Sequence, residues 1–278
     1  MPELPEVETI AASLRMGGVD HPPLTGRRIL GSQVLWERTL AEPAPGMFAA
    51  RIRGQFIEDI GRRGKFLVMR LSKDTLLIHL RMSGDLIVEP SDTPMATHHR
   101  LILDLEGDIR LAFNDTRKFG RVWLSANPGT VLDKLGPEPL NGSLTSTKFY
   151  EMLHARHRQL KPLLMDQTFI AGMGNIYTDE ALHRARLHPL RRSNNLSPEE
   201  AGRLLESIRS VLEEGIQRNG ASIDWVYRGG DFQNYFRVYQ RSGEACPRCG
   251  AAIERIVVSQ RGTHYCPVCQ KLPNDADE

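Results

Sequence analysis

Apolar residues near the start of the chain recur at helical spacing, with Val7, Ile10, Ala11 and Leu14 on one stripe. Pro5 suits the first turn of that helix, and Glu6 and Glu8 suit its positive end. The period then shortens. Between Arg28 and Val122 the runs Ile29–Trp36, Phe56–Ile60, Phe66–Leu71, Thr75–Leu80, Leu86–Val88, Arg100–Leu105, Ile109–Phe113 and Arg121–Leu124 read as strands. Glycine, proline and Asp/Ser residues punctuate them, and Glu106-Gly107-Asp108 reads as a hairpin turn. Short strands at this spacing predict a β-sandwich or a flattened barrel.

From Thr147 the helical period returns. Phe149, Met152 and Leu153 begin one helix, and Leu160, Leu163 and Leu164 mark a short segment opened by Pro162. Ile176–Ala185 is a third. A fourth has Ser197 as N-cap, Pro198 at its first position and Glu200 closing a capping box, with Gly220 as terminator. The class is therefore α+β and multidomain. The expected divisions are a β domain with its N-terminal helix (1–130), a Gly/Pro/Asn-rich linker (131–146) and a helical domain (147–225). A loop (226–240), a cysteine module (241–271) and an acidic tail (272–278) follow. In the cysteine module, Ile253–Val258 and Thr263–Tyr265 form a hairpin with Arg261 near its tip.

Composition changes this picture little. The chain has 278 residues, 40% of them hydrophobic, and no apolar run of membrane-spanning length. The N-terminus lacks the basic start and apolar core of a secretory signal, so a cytoplasmic protein is expected. Nothing in the sequence suggests an obligate oligomer, so a monomer is expected. Net charge is only +2, yet 29 of the 36 cations are arginine. Arginine is suited to bidentate phosphate contacts. Residues 148–271 carry 18 cations against 13 anions, a local excess compatible with an acidic polymer as partner or with a solvated surface.

Two features carry chemistry. Cys246-Pro-Arg-Cys249 and Cys266-Pro-Val-Cys269 are two C-x-x-C knuckles separated by 16 residues. That spacing fits one tetrahedral four-thiolate zinc ion, and a cytosolic chain disfavours paired disulfides. The start, Met1-Pro2-Glu3-Leu4-Pro5-Glu6-Val7-Glu8, is the second. Removal of Met1, expected before a small second residue, leaves Pro2 as a free secondary amine beside the Glu3 carboxylate. An α-amine has a reference pKa of about 8, so roughly a tenth is neutral and nucleophilic at pH 7. Such an amine can attack an aldehyde carbon and form an iminium ion. The helix accounts for Pro5 onward but leaves Pro2 and Glu3 without a task. Gly172 and Gly174 of Ile170-Ala-Gly-Met-Gly-Asn-Ile-Tyr177 allow a tight turn whose N–H groups can face a phosphate, although most such turns are only turns.

Together these segments resemble the bacterial formamidopyrimidine-DNA glycosylases, which repair oxidised purines. The resemblance runs nearly the whole chain. It rests on the Pro2–Glu8 start, Gly64-Lys65-Phe66, His79-Leu-Arg-Met-Ser-Gly84, Asp115-Thr-Arg-Lys-Phe-Gly120, Gly172-Met-Gly-Asn-Ile-Tyr177 and the four-cysteine hairpin, in the family's order. It implies a catalytic N-terminal β-sandwich, a helix–two-turn–helix domain and a zinc finger, with double-stranded DNA bound in the cleft between the domains. The loop 226–240 then corresponds to the family's lesion-covering loop.

Site residues follow from the same resemblance. Pro2 matches the nucleophile that attacks the anomeric carbon, and Glu3 the acid/base that opens the sugar. Lys65 and Arg261, the other catalytic candidates, belong with Asn175 to the phosphate grip around the lesion. Met82, Arg117 and Phe119 match residues that fill the space left by the everted base. Lys161 matches a lysine near the damaged base, and Glu6 a second acidic residue of the site. Glu6 also suits simple helix N-terminal stabilisation, and Lys161 a surface charge or helix start. Thr116 and Lys118 replace the family's usual proline and second arginine, and Val226–Tyr235 lacks its Gly-Lys-Pro-Gly stretch. Two other readings are the endonuclease VIII type, acting on oxidised pyrimidines, and an inactive DNA-binding zinc protein. The former usually starts Pro-Glu-Gly-Pro-Glu, where this chain has Leu4.

Overall fold

The computed structural model describes residues 1–222 and 229–272. They fall into two compact units: Met1–Asp133 with Ala221–Gly230, and Lys134–Gly220 with Asp231–Glu278.

The first unit contains α1 (Leu4–Met16), β1 (Ile29–Val34), β2 (Leu40–Glu42), α2 (Pro45–Ile52), β3 (Ile57–Arg63), β4 (Phe66–Leu71), β5 (Thr75–His79), β6 (Gly84–Pro90), β7 (His99–Leu105), β8 (Ile109–Asp115), β9 (Arg121–Ser125) and α3 (Gly129–Leu132). Two separate sheets form, in the orders β1-β7-β8-β6 and β2-β9-β5-β4-β3, so the unit is a sandwich rather than a barrel. Every pairing is antiparallel except β2 with β9. Leu101, Leu103, Leu111 and Phe113 of one sheet share a core with Ile60, Leu67, Met69, Ile78 and Val122 of the other. Val7, Ile10, Ala11 and Leu14 of α1 complete it, as their spacing predicts.

Three features of this unit depart from expectation. The strand β2 has only three residues, too short for alternation to show. The helix α2 begins at Pro45 and buries Phe48 and Ile52, four residues apart, in a stretch read as β. And α1 begins one residue before Pro5, with Glu3 as its N-cap in a capping box with Glu6. Glu3 is therefore part of the helix entry and not a residue without a task.

The second unit contains α4 (Ser146–His154), α5 (Leu160–Leu164), α6 (Asn175–Ala185), α7 (Pro198–Gln217), a 3-10 turn at Phe232–Tyr235, and the hairpin β10 (Glu254–Val258) and β11 (Arg261–Tyr265). The Ser197 capping box is present, and Gly220 closes α7 with φ +78° and an N–H donated to the Gly215 carbonyl at 2.7 Å. Pro162 lies inside α5, which Leu160 opens. Residues 134–146, read as linker, are packed within this unit. Gly136 N–H bonds the Gln167 carbonyl at 2.8 Å, Arg209 Nε bonds the Pro139 carbonyl at 2.8 Å, and Leu144 is fully buried. The hairpin tip is Ser259-Gln260, both at positive φ (47° and 61°), so Arg261 is the first residue of β11, opposite Val258. Of the expected 226–240 loop, residues 226–228 lie outside the described residues. Phe232 is buried and stacks on Tyr177 at 5.2 Å, so this part is core rather than open loop. Of the tail, residues 273–278 also lie outside the described residues.

Close packing at Gly120 gives a test of the sandwich. A Cβ there would lie 2.2 Å from Phe113 Cζ, whereas at Gly142 it would meet nothing within 4 Å. Gly120→Ala is expected to lower unfolding free energy by about 1–3 kcal/mol in denaturant titrations. Gly142→Ala serves as the near-neutral comparison.

Candidate active site and metal centre

The N-terminal residues are held by one carboxylate. Pro2 and Glu3 are buried, while Met1 is 48% exposed. Glu6, itself buried, accepts from the Glu3 backbone N–H at 2.7 Å and from the Ala221 N–H at 2.7 Å. Glu3 in turn caps the Glu6 backbone N–H. Glu6 thus fixes the peptide that follows the residue that would carry the amine, and both acids sit at the positive end of α1. With Met1 in place the Pro2 nitrogen is an amide and cannot act as a nucleophile.

Lys65 occupies the two-residue turn between β3 and β4, where Gly64 has φ +56° and the flanking Arg63 and Phe66 pair. A glycine at the first central position suits that turn. Lys65 is buried near His79, the last residue of β5, which pairs with Phe66. Burial, with Arg81 and Lys65 nearby, lowers the His79 pKa to about 3. Its Nδ1 accepts the Arg81 N–H at 3.1 Å.

Met82, Arg117 and Phe119 come together on two neighbouring turns. Met82 (38% exposed) lies between β5 and β6; Arg117 and Phe119 (50% exposed) lie between β8 and β9. Buried Asp115 ties the turns. It accepts from the Ser83 hydroxyl, from Arg117 N–H at 3.2 Å and from Gly120 N–H at 2.8 Å. Ser83 Oγ also accepts the Arg117 N–H at 3.1 Å. The Arg117 guanidinium rests 5.1 Å from the Phe119 ring centre. Two exposed apolar side chains and an arginine therefore project from a rigid base, an arrangement that ordinary core packing does not explain.

In the second unit Asn175, Lys161 and Arg261 converge. Asn175 opens α6 after the Gly172–Gly174 turn, in which Gly172 has φ +97° and donates to Gln167 Oε1 at 2.9 Å. Its Nδ2 donates to the Gly262 carbonyl at 3.1 Å, next to Arg261. Lys161 is not a surface charge. It is 1% exposed, and its ammonium donates to Asp179 and to the Asn175 carbonyl at 3.3 Å. Asp179 also accepts the His264 N–H of β11 at 2.9 Å. A groove of about 280 Å³ is lined by Arg158, Lys161, Met165, Asp166, Ser259 and Arg261.

The four cysteine sulfurs lie within 4.8 Å of one another and none is disulfide-bonded. The distances Cys246–Cys269, 4.0 Å, and Cys249–Cys266, 3.4 Å, bracket the sulfur–sulfur edge of about 3.8 Å expected for a tetrahedron with Zn–S bonds of about 2.3 Å. The Ala251 N–H lowers the exposed Cys249 thiol to about 7, and burial raises Cys266. His183 of α6 stands beside this centre, its Nε2 3.4 Å from Cys246 Sγ. Burial, with Arg248 and Arg237, lowers its pKa to about 4 and keeps the ring neutral.

Comparison with known proteins places this geometry. Residues 1–122 match the formamidopyrimidine-DNA glycosylase N-terminal domain, 135–226 the H2TH domain of the same enzymes, and 243–272 the zinc finger found in these glycosylases and in isoleucyl-tRNA synthetases. Formamidopyrimidine-DNA glycosylases of Chloroflexus aurantiacus and Protochlamydia amoebophila are 49% and 42% identical, over 97% and 98% of this chain and 98% and 100% of theirs. The chain belongs to the formamidopyrimidine-DNA glycosylase family. Among solved structures, the Lactococcus lactis glycosylase bound to DNA containing N7-benzyl-Fapy-dG superposes with a TM-score of 0.90 at 36% identity, over 98% of this chain and all of that one. The same enzyme bound non-covalently to abasic-site DNA gives 0.89 at 36%, over 97% and 100%. The family's zinc finger and the four converging thiols assign one structural zinc ion, held by Cys246, Cys249, Cys266 and Cys269.

Asp115, Ser83, Asp179, Glu180 and His183 are the residues that sequence reasoning passed over. Asp115 and Ser83 stood inside quoted motifs but drew no role. The other three lie on a helix face whose burial no hydrophobic pattern announces.

Two outcomes follow. Folded His79 stays neutral while the unfolded chain takes up a proton below about 6.5, so its contribution to stability is present above that pH. It is lost as pH falls from 6.5 toward 3, at up to about 1.4 kcal/mol per unit. His79→Asn should flatten that part of the stability–pH curve. Separately, Cys249→Ser is expected to lower zinc content by plasma mass spectrometry and to unfold the hairpin by circular dichroism.

Proposed function

We propose that this protein removes oxidised purines, 8-oxoguanine and formamidopyrimidines, from duplex DNA and then cleaves the strand at the resulting abasic site. The observation that carries the reading is the buried Pro2-Glu3 terminus, fixed by Glu6, in a member of this glycosylase family. The solved relatives support the substrate class, being described as complexes with Fapy-dG, carbocyclic 8-oxo-G and abasic-site DNA.

In this proposal Pro2, freed of Met1, attacks the anomeric carbon of an everted nucleoside. The base departs and the sugar becomes an iminium on the proline nitrogen. Glu3 serves as the acid/base that opens the sugar ring. The iminium acidifies the neighbouring sugar protons, so the 3′ and then the 5′ phosphate leave by β- and δ-elimination. Lys65, Asn175 and Arg261 hold the phosphates around the lesion. Met82 and Phe119 occupy the vacated stack, and Arg117 faces the orphaned partner base. Glu6 positions the terminus, and Lys161 supports the Asn175 turn from beneath. Zinc holds the hairpin that carries Arg261, and takes no part in bond making. Among the described residues no helix is long and apolar enough to cross a membrane. A cytoplasmic monomer, associated with the nucleoid through DNA, fits the proposed substrate.

Borohydride reduction with duplex carrying 8-oxoguanine opposite cytosine tests the proposal. Protein whose intact mass shows loss of Met1 is expected to give a covalent adduct and, without borohydride, strand cleavage. Protein retaining Met1 should give neither. No adduct and no cleavage from Met1-free protein would reject the enzyme reading, and thymine glycol preferred over 8-oxoguanine would move it to the pyrimidine type.

A further inference from the structure

Helix α6 presents a buried polar face to the zinc module and the segment just before it, and four of its side chains find a partner there. Asn175 Nδ2 donates to the Gly262 carbonyl at 3.1 Å. Asp179 accepts the His264 N–H at 2.9 Å. Glu180, 1% exposed, accepts the backbone N–H groups of Arg237, Val238 and Tyr239 at 2.8–3.1 Å. About one turn beyond the carboxylates, His183 places Nε2 3.4 Å from Cys246 Sγ, with both side chains almost wholly buried.

The chemistry of the pair depends on the metal. A free thiol donates its own hydrogen, and the ring nitrogen accepts. A zinc ligand is a thiolate and has no hydrogen to give. A hydrogen bond across this contact then requires the proton on Nε2. The thiolate also needs such a donor. Cys249 is exposed to solvent and Cys266 Sγ accepts the Cys269 N–H at 3.4 Å, but Cys246 is only 3% exposed. Buried charge without a donor is costly. His183 Nδ1 has no hydrogen-bond partner among the described residues, so nothing on the other side of the ring opposes that tautomer.

We propose that His183 donates its Nε2–H to the zinc-bound Cys246 thiolate, making it a positioning residue of the metal centre and the metal-side end of the α6 contact face. The inference rests on zinc occupancy of the four-cysteine site. The bond withdraws charge from the sulfur and holds the Cys246 knuckle against the helix whose other end carries Asn175. Partners of this kind around metal ligands typically change metal affinity by about 10- to 100-fold when removed.

The first test uses the unaltered, zinc-loaded protein labelled with nitrogen-15. Long-range proton–nitrogen correlation is expected to show His183 as the Nε2–H tautomer. After exchange of zinc for cadmium-113, that proton should show scalar coupling to the metal through the sulfur. The Nδ1–H tautomer in protein containing one zinc per chain would overturn this proposal alone. Protein purified natively without metal would overturn the zinc assignment and the proposal with it. The second test is His183→Phe, which keeps an aromatic ring without a donor, beside His183→Gln, which keeps an N–H. Zinc transfer to a chromogenic chelator is expected to be about 10- to 100-fold faster in the phenylalanine variant, with partial recovery in the glutamine variant. Equal transfer rates in folded variants would reject the role. If the phenylalanine variant does not fold, the tautomer of the unaltered protein decides.

Discussion

The proposed chemistry depends on a single buried carboxylate. An amine at a chain end is by default mobile, because a terminus has few contacts to tie it down. Glu6 removes that freedom. It binds the N–H of Glu3 three residues before it and that of Ala221, 215 residues further on, each at 2.7 Å. Both bonds are to backbone, so the constraint does not depend on what side chain Glu3 carries. The helix N-terminus offsets the cost of burying the charge. The consequence for Glu3 is a double demand. Its carboxylate caps the Glu6 N–H, and any proton transfer it performs on a sugar requires that cap to loosen or to be shared.

Much of the sandwich was legible because its strands are short apolar runs bounded by turn residues, several of them buried along nearly their whole length. Phe66–Leu71 falls on β4 with both ends matched, and the Ser197–Glu200 box marks the true start of α7. What was not legible had physical reasons. The three-residue β2 has no period. Helix α2 buries only Phe48 and Ile52, a stripe too narrow to stand out from the β run around it. Arg261 lies next to the hairpin tip as expected, but the turn is two residues shorter than the strand pattern suggests, because two consecutive residues with positive φ call for Asn or Gly and here they are Ser259 and Gln260. Among site residues, the motif segments could be read, whereas the side chains beneath them could not. Asp115 has the composition of any turn aspartate until its three donors are seen.

The two units solve the problem of holding a site differently. The first has a continuous apolar core, and its exposed Met82, Arg117 and Phe119 stand on turns braced from below by Asp115. The second spends buried charge. Lys161 and Asp179 are an ion pair with 1% exposure each, and the pair alone would not repay its desolvation. It is completed by the Asn175 carbonyl on one side and the His264 N–H on the other. Burial pushes the Glu180 carboxyl upward in pKa, opposed by three backbone N–H donors. Such a network is stable only when every member is satisfied, so it tolerates one geometry and rejects near neighbours. A polar face of this kind fixes register, which an apolar face of similar size would leave to packing.

That fixed register explains why Arg261 belongs to a strand and not to a loop tip. Left-handed backbone at a non-glycine residue costs about 1–2 kcal/mol. The turn accepts that cost twice, at Ser259 and Gln260, to reverse the chain within two residues. A longer glycine-containing loop would avoid the strain but would leave the arginine on a flexible arch. The strain is held because β11 is anchored just beyond it, at Gly262 by Asn175 and at His264 by Asp179. The same α6 that opens with the candidate phosphate contact therefore sets the position of the candidate arginine. A guanidinium at the first position of a pinned strand keeps its orientation better than one on a loop. Local strain at the tip is thus the counterpart of precision one residue later.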